Sequence, residues 1–271
     1  MGDDLSSADN AFAELDKMTE SQQRRIIAYL DTVAAHPEMQ RARSLALQVF
    51  APAEGERLLD AGCGAGEVAQ QLGARVGNEG HVSAIDRSER AVSVARARGE
   101  NSRVVYEVGD VGALNFPDSH FDGVRCERVL QHVSDPDAVI TELIRVTRPG
   151  GRVCLIDTDW TSSKAYGFDH LDEVLATIFP VGNALTIGRT LRTRMLGRGL
   201  REISAHPATL RFTSPEDAST VVPYFMREAM RDRLPTELFS RFFDLVDRSA
   251  ERGDFLLSLT VWICMGRVPM G

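Results

Sequence analysis

The chain predicts an α/β fold: a seven-stranded, mostly parallel sheet with helices on both faces. Three observations predict it. From Arg57 to Trp160, short apolar runs alternate with helix-like segments, the pattern of strands joined by crossover helices. A glycine-rich turn, Gly62 to Gly66, follows the first of these runs directly. A long apolar run, FLLSLTVWICMGRV, closes the chain after a stretch of helical inserts and is expected to lie antiparallel in the sheet.

Taken in order, the apolar residues between Ala11 and Phe50 recur at helical spacing. Met18, Ile26, Ile27, Leu30 and Val33 form one set, and Ala42, Leu45, Leu47, Val49 and Phe50 another, so two helices are predicted with a break near Pro37. The predicted strands are RLLDA, HVSAID, RVVYEV, FDGVRC and RVCLIDTDW, separated by helices that begin near Glu67, Ser88 and Asp135. Beyond Trp160 the pattern predicts helices around Leu171 to Ile178 and Arg189 to Leu200, and then a strand, EISAHPATLRF. Two further helices are expected over Pro215 to Met230 and Pro235 to Ala250. Short linkers are expected at Ala51 to Glu56 and around Ser162. The organisation expected is a helical cap over residues 1–50 and an α/β domain over 51–271, with helical insertions between 161 and 252.

With 271 residues, 43% hydrophobic and 26% charged, the chain can bury a full core. A net charge of -8 opposes binding to a phosphate backbone, which makes nucleic acid an unexpected partner, even though RTLRTRMLGRGLR is locally cationic. The opening MGDDLSSADN lacks a basic segment leading into an apolar one, and no stretch approaches the ~18 apolar residues of a membrane span. The expectation is a cytoplasmic protein without membrane attachment, a monomer or homodimer. Cys63, Cys126, Cys154 and Cys264 form no C-x-x-C pair, so reduced thiols and no metal are expected.

The most informative segment is LLDAGCGAG. Glycines at Gly62, Gly64 and Gly66 let a ligand approach the backbone, and the following helix N-terminus presents N–H groups. A dinucleotide loop would place its third glycine where Glu67 stands, and Asp60 just before the turn would repel a pyrophosphate. Acidic surroundings suit a ligand carrying an ammonium group instead, such as the methionyl end of S-adenosylmethionine. Asp86 ends the next predicted strand, roughly twenty residues on, where such folds place a carboxylate for ribose hydroxyls. Asp86 or Ser88 also suits the N-cap of the next helix.

Further along stand Gly109-Asp110-Val111, Phe121-Asp122, the E-R-V-L-Q-H segment ending in His132, and Arg148-Pro149-Gly150-Gly151. With LLDAGCGAG and Asp86 they make the sequence from Glu54 to Trp160 resemble the Rossmann-like class I S-adenosylmethionine-dependent methyltransferases, in particular the UbiE-like (methyltransferase type 11) group. The resemblance implies S-adenosyl-L-methionine as cofactor, S-adenosyl-L-homocysteine as product and a small-molecule methyl acceptor as partner. It also implies site residues. Asp60, Gly62 and Gly64 would hold the methionyl end, Asp86 and Arg87 the ribose, and Asp110 and Val111 the adenine. Glu127 and Arg128 would meet the methionyl end largely through main-chain atoms, and Arg43 lies where some relatives bring a basic residue to the cofactor carboxylate.

The sulfonium is an activated methyl donor, so the protein must mainly hold the acceptor in line and exclude water. For a hydroxyl acceptor, His132 is the candidate base and Asp157 its candidate partner, since some sugar O-methyltransferases of this fold have histidines in this segment and an aspartate at the end of the fifth strand. The departure is Gln131, which stands where such relatives can carry the histidine base. Gln131, Asp159 and Trp160 are candidate acceptor contacts, with strand-end packing as the alternative for Trp160. VVPYFMREAM, with Tyr224 and Phe225, is a candidate apolar lid over the acceptor, or else the core face of an amphipathic helix. The function expected is in-line methyl transfer to O, N or C of a small organic molecule, a specialised natural-product metabolite among the options. The alternatives are a nucleic-acid or protein methyltransferase, or a protein of this fold that binds the cofactor for other chemistry.

Overall fold

The computed structural model describes residues 15–99, 103–165, 171–178 and 185–270. The part of the first predicted helix before Leu15 lies outside the described residues. A 3-10 turn at Leu15–Lys17 leads into α1 (Glu20–Ala35), which opens on a reciprocal cap between Thr19 and Gln22. Helix α2 (Pro37–Phe50) comes after a single residue, with Pro37 at its first position and the His36 ring accepting the Glu38 N–H. The expected break at Pro37 is therefore a sharp corner.

The sheet holds β1 (Arg57–Ala61), β2 (His81–Asp86), β3 (Val104–Val108), β4 (Phe121–Glu127), β5 (Thr147–Ala165), β6 (Arg201–Phe212) and β7 (Leu257–Arg267). Their order is β3-β2-β1-β4-β5-β7-β6. The first five pair in parallel, and β7 runs antiparallel between β5 and β6, as its place after the inserts predicted. Crossovers are made by α3 (Glu67–Val76), α4 (Glu89–Arg98) and α5 (Pro136–Val146). Ser88 caps α4 and Asp135 caps α5, one residue before each helix proper. Alternate residues of β1 feed opposite layers: Leu58 packs with Phe50, Leu72 and Val92, and Leu59 with Val124, Leu143 and Leu191. The order of strand addition reverses between β1 and β4, and such a switch point opens a crevice at the carboxyl ends of the strands.

After β5 come α6 (Leu171–Ile178), α7 (Ile187–Gly197), α8 (Pro215–Val221), α9 (Arg227–Met230) and α10 (Thr236–Arg252). Two expectations are corrected here. Pro215 to Met230 is not one helix, because Pro223 cannot continue it: Val222 is pushed to extended geometry and a 3-10 turn, Pro223–Phe225, separates α8 from α9. Ser162 is no linker. It lies within β5 at a register shift, where its Oγ accepts the Thr260 N–H at 2.8 Å. No helix among the described residues is long and apolar enough to cross a membrane.

Candidate functional site

A cavity of about 230 Å³ opens at the carboxyl ends of β1, β2 and β4, below α1. Every residue that the resemblance assigns to the cofactor lines it, and so does His132. The glycine loop owes its path to left-handed backbone at Gly62 (φ 81°), Gly64 (φ 52°) and Gly66 (φ 86°). A Cβ on Gly62 would sit 2.1 Å from the Val129 Cγ2, so only glycine fits there, whereas one on Gly64 would meet nothing within 4 Å. The Gly62 and Cys63 N–H groups both donate to the Ile85 carbonyl, at 2.7 and 2.9 Å, which folds the loop against β2.

That fold brings Asp86 to the loop. Its Oδ2 accepts the Gly64 N–H at 2.8 Å and its Oδ1 the Ser88 N–H at 3.0 Å. Burial pushes its carboxyl above the ordinary range, and the two N–H donors oppose the shift. Each oxygen keeps lone-pair capacity for one more donor. The cap of α4 falls to Ser88, whose Oγ accepts the Ala91 N–H at 3.1 Å, so Asp86 is not spent on the cap. A residue that sequence reasoning missed completes this end: Asp16 accepts the Ser88 hydroxyl and the N–H groups of Glu89 and Arg90, at 2.7, 2.8 and 3.0 Å. Arg98 grips Asp31 with two bonds of 2.6 and 2.8 Å, tying α4 to α1 across the cavity mouth. At the far side, Asp110 accepts the Gly112 N–H at 2.8 Å, and Val111 is buried.

At the other end stands a ladder of charges. Arg125, buried in the middle of the sheet, contacts Asp60 at 3.1 Å and binds Glu127. Arg43 binds Glu127 at 2.8 Å and Glu67 at 2.6 Å. Glu127 is buried, which alone would raise its carboxyl, but the two guanidinium groups outweigh burial and hold it down at about 2. For Asp60 burial wins over Arg125 and the carboxyl is raised. Arg43 thus reaches the cavity wall as expected, but with its guanidinium engaged by two carboxylates. Arg125 and Glu67 were absent from the sequence-based site. Arg125 carried a signal, since an arginine inside a buried parallel strand has to be paired.

The acceptor side differs from expectation. Asp157 is fully buried and spends its carboxylate on the N–H groups of Thr158, at 2.9 Å, and Gln131, at 3.3 Å. His132 is not its partner, so the structure does not bring the expected acid–base pair together. Burial raises the Asp157 carboxyl to about 7, against the pull of those N–H groups and of the Arg128 charge. Gln131 accepts the Trp160 indole N–H at 2.9 Å, and Asp159 is held by Arg189 at 2.8 Å and by the Thr161 hydroxyl at 2.6 Å. Tyr224 and Phe225 are 1% and 4% exposed, and the Tyr224 hydroxyl donates to Ser163 Oγ at 2.6 Å. None of Gln131, Asp157, Asp159, Trp160, Tyr224 and Phe225 lines the cavity. The apolar segment expected as a lid packs into the core, because Pro223 turns its side chains inward together.

Comparison with known proteins gives this geometry a family. The sequence profile described as "Methyltransferase domain" matches residues 52–180. The ubiquinone biosynthesis O-methyltransferase of Aromatoleum aromaticum is 31% identical over 205 residues, which cover 73% of this chain and 84% of that protein. The chain belongs to the class I S-adenosylmethionine-dependent methyltransferases. It is also similar to the 2-phytyl-1,4-naphtoquinone methyltransferase of Synechococcus elongatus, with 39% identity over 119 residues, or 42% of this chain and 51% of that one. The chain spans between 51% and 58% of the length of the first curated relatives it matches. Among solved structures, the [4+2]-cyclase SpnF shares the fold with a TM-score of 0.57 at 23% identity, covering 86% of this chain and 82% of that one.

Proposed function

We propose that this chain transfers a methyl group from S-adenosylmethionine to a small organic acceptor. The observation that carries the reading is the cavity wall. It joins a left-handed glycine loop, a partly buried Asp86 with lone pairs to spare, and the Gly109-Asp110-Val111 turn around one space. The residues fit the group: the open space beside Gly64 admits a ligand against the backbone, and the donors and acceptors suit a nucleoside at one end and a zwitterion at the other. Asp86, with Arg87 at the rim, would hold the ribose; Asp110 and Val111 the adenine; and Asp60, Gly62, Gly64 and Arg43, with the main chain of Glu127 and Arg128, the methionyl end. When bound, the cofactor supplies an activated methyl group on a sulfonium.

The chain's own contribution is placement and exclusion of water. Helix α1 covers the cavity with Leu30, Val33 and Ala34, and the charge ladder fixes the polar end without solvent. His132 on the wall stands at the β4 side, where it can take or relay a proton from a hydroxyl acceptor. Similarity to enzymes named for quinone and naphthoquinone methylation supports a hydroxylated, partly apolar acceptor. The net charge of -8 weighs against nucleic acid. The test is calorimetric titration with S-adenosylmethionine and S-adenosylhomocysteine, followed by labelled methyl transfer into a metabolite extract, bulk RNA and protein in parallel. Label in small molecules supports the reading. Label confined to RNA or protein, or cofactor binding without transfer, overturns it.

A further inference from the structure

Three arginines surround the end of β4, and they differ in what they bind. Arg43 and Arg125 each contact two carboxylates. Arg128 contacts none among the described residues: it makes no ion pair, and its Nε is buried without a hydrogen-bond partner. A buried guanidinium donor left unsatisfied is costly, and one that lines a cavity is open to a ligand, a water or an ion. Its backbone points the same way. Arg128 sits at φ 54°, in the left-handed region that non-glycine residues avoid, and is locked there by its N–H on the Ile156 carbonyl at 2.8 Å. The fold holds this strained corner and so sets Arg128 on the cavity wall.

The surroundings decide which anion it awaits. The N-terminus of α3 would offer N–H groups to the cofactor carboxylate at the β1 end, whereas the N–H groups of Gly62, Cys63, Gly64 and Gly66 are already bonded within the chain. Arg128 lies instead toward β5. Its charge acts on Asp157 within that strand and on the Tyr29 hydroxyl from α1, and that hydroxyl donates to the Val221 carbonyl at 3.3 Å. Asp157 forms no ion pair with it, and burial, which raises its carboxyl to about 7, leaves that carboxyl only partly ionised at neutral pH. Glu127, the adjacent carboxylate, is already shared between Arg43 and Arg125. His132 completes the ionisable groups on this wall. What remains is a positive charge on the cavity wall at the end of β4, on the same wall as His132 and without a carboxylate partner among the described residues.

We propose that the Arg128 guanidinium binds the oxygen of an acidic hydroxyl acceptor, a phenol or enol, and holds it as the oxyanion. The inference rests on the methyltransferase reading above and names the acceptor class for that site. The acceptor's proton leaves to solvent on binding. The O–CH₃ bond then forms as the S–CH₃ bond breaks, the electron pair stays on sulfur, and the oxyanion and sulfonium charges cancel. Such a site needs no His132–Asp157 pair; His132 would serve at most to relay the proton outward.

The test uses 4-nitrophenol, whose ionised form is coloured, bound to the chain saturated with S-adenosylhomocysteine. A pH titration of the bound probe is expected to show its pKa lowered by about one unit or more, the effect of an adjacent opposite charge. Arg128→Lys should retain part of the shift and Arg128→Met should abolish it. Calorimetry should show both variants, folded by circular dichroism, still binding S-adenosylhomocysteine through the loop and Asp86. An unshifted pKa, a probe that does not bind, or a shift that survives Arg128→Met overturns the inference while leaving the cofactor reading intact. A fall of about tenfold or more in S-adenosylhomocysteine affinity in Arg128→Met would assign the arginine to the cofactor and also overturn it. If the unaltered chain binds neither S-adenosylmethionine nor S-adenosylhomocysteine, the cofactor reading fails first and the inference with it.

Discussion

The ends of β2 and β5 look alike in sequence, each a buried strand closing on an aspartate, yet the structure uses them in opposite ways. At the end of β2, Asp86 accepts two backbone N–H groups and still faces the cavity. Within β5, Asp157 also accepts two N–H groups but is sealed beneath Gln131 and the residues around Trp160. The difference lies in the path of the chain beyond each aspartate. After β2 the chain turns into α4 and leaves the carboxylate at a crevice, whereas β5 runs on through Trp160 to Ala165 and pairs with β7, so its neighbours are covered. A strand-end aspartate is therefore a ligand candidate only where the sheet stops.

This contrast can be broken by experiment. The largest effect is expected in the ladder that joins the two halves. Arg125→Met would strand Asp60 as an uncompensated buried carboxylate and leave Glu127 with Arg43 alone, and denaturant unfolding should show a loss of about 3–5 kcal/mol. A loss below 1 kcal/mol, about the size of a surface pair, would mean that the ladder is solvated.

Asp86→Ala should leave the fold intact and weaken S-adenosylmethionine binding by about 2–4 kcal/mol, because two hydroxyl donors lose a charged acceptor. Calorimetric titration measures this. Asp157→Ala, by contrast, should act on stability and leave cofactor affinity close to that of the unaltered chain, and equal effects at the two positions would erase the comparison.

The two halves also differ in their response to pH. Asp157 is raised from an ordinary 3.8 to about 7 by burial, despite the opposing N–H groups and Arg128, so its contribution is fully present below the unfolded value and is lost as pH rises through 7. Glu127 is depressed from 4.5 to about 2, where Arg43 and Arg125 outweigh burial, so its contribution is present above 4.5 and lost as pH falls through 2. Stability profiles should therefore lose their decline between pH 4 and 7 in Asp157→Asn, and lose part of their acid limb in Glu127→Gln. Unchanged profiles in both variants would refute the assigned ionisation states.

The smallest effect is expected at the cavity mouth. Asp16→Ala removes a side chain that caps the first turn of α4 and should cost about 1 kcal/mol, with faster amide exchange at Glu89 and Arg90.

Much of this was legible in the sequence because it rests on local rules. Strand and helix positions through Trp160 come from apolar period and caps, and the glycine loop comes from a turn that β-carbons would block. The ten residues assigned to the cofactor lie on four short loops at the ends of parallel strands and on α2 beside them, so once the strand order is inferred their convergence is a matter of topology. Arg125 was overlooked because its meaning depends on Asp60, far away in the chain and one strand over. Asp16 was overlooked for the same reason, since its partners are more than seventy residues along.

By itself, then, the sequence determined a doubly wound sheet, its antiparallel last strand and a loop shaped for a nucleoside-bearing ligand, since each comes from the periodicity and conformational freedom of neighbouring residues. Only the tertiary structure decided which polar groups are spent and which are spare. Asp157, Asp159, Gln131 and Trp160 read as a ligand-facing strand end until the turn after β4 brings Gln131 to Asp157 and Trp160 and α7 brings Arg189 to Asp159, and Arg128 read as a main-chain contact until its Nε proved to be left without a partner at the end of β4. The physical reason is that a hydrogen bond or ion pair is a property of two groups, and satisfaction can be counted only when the chain has brought both of them together.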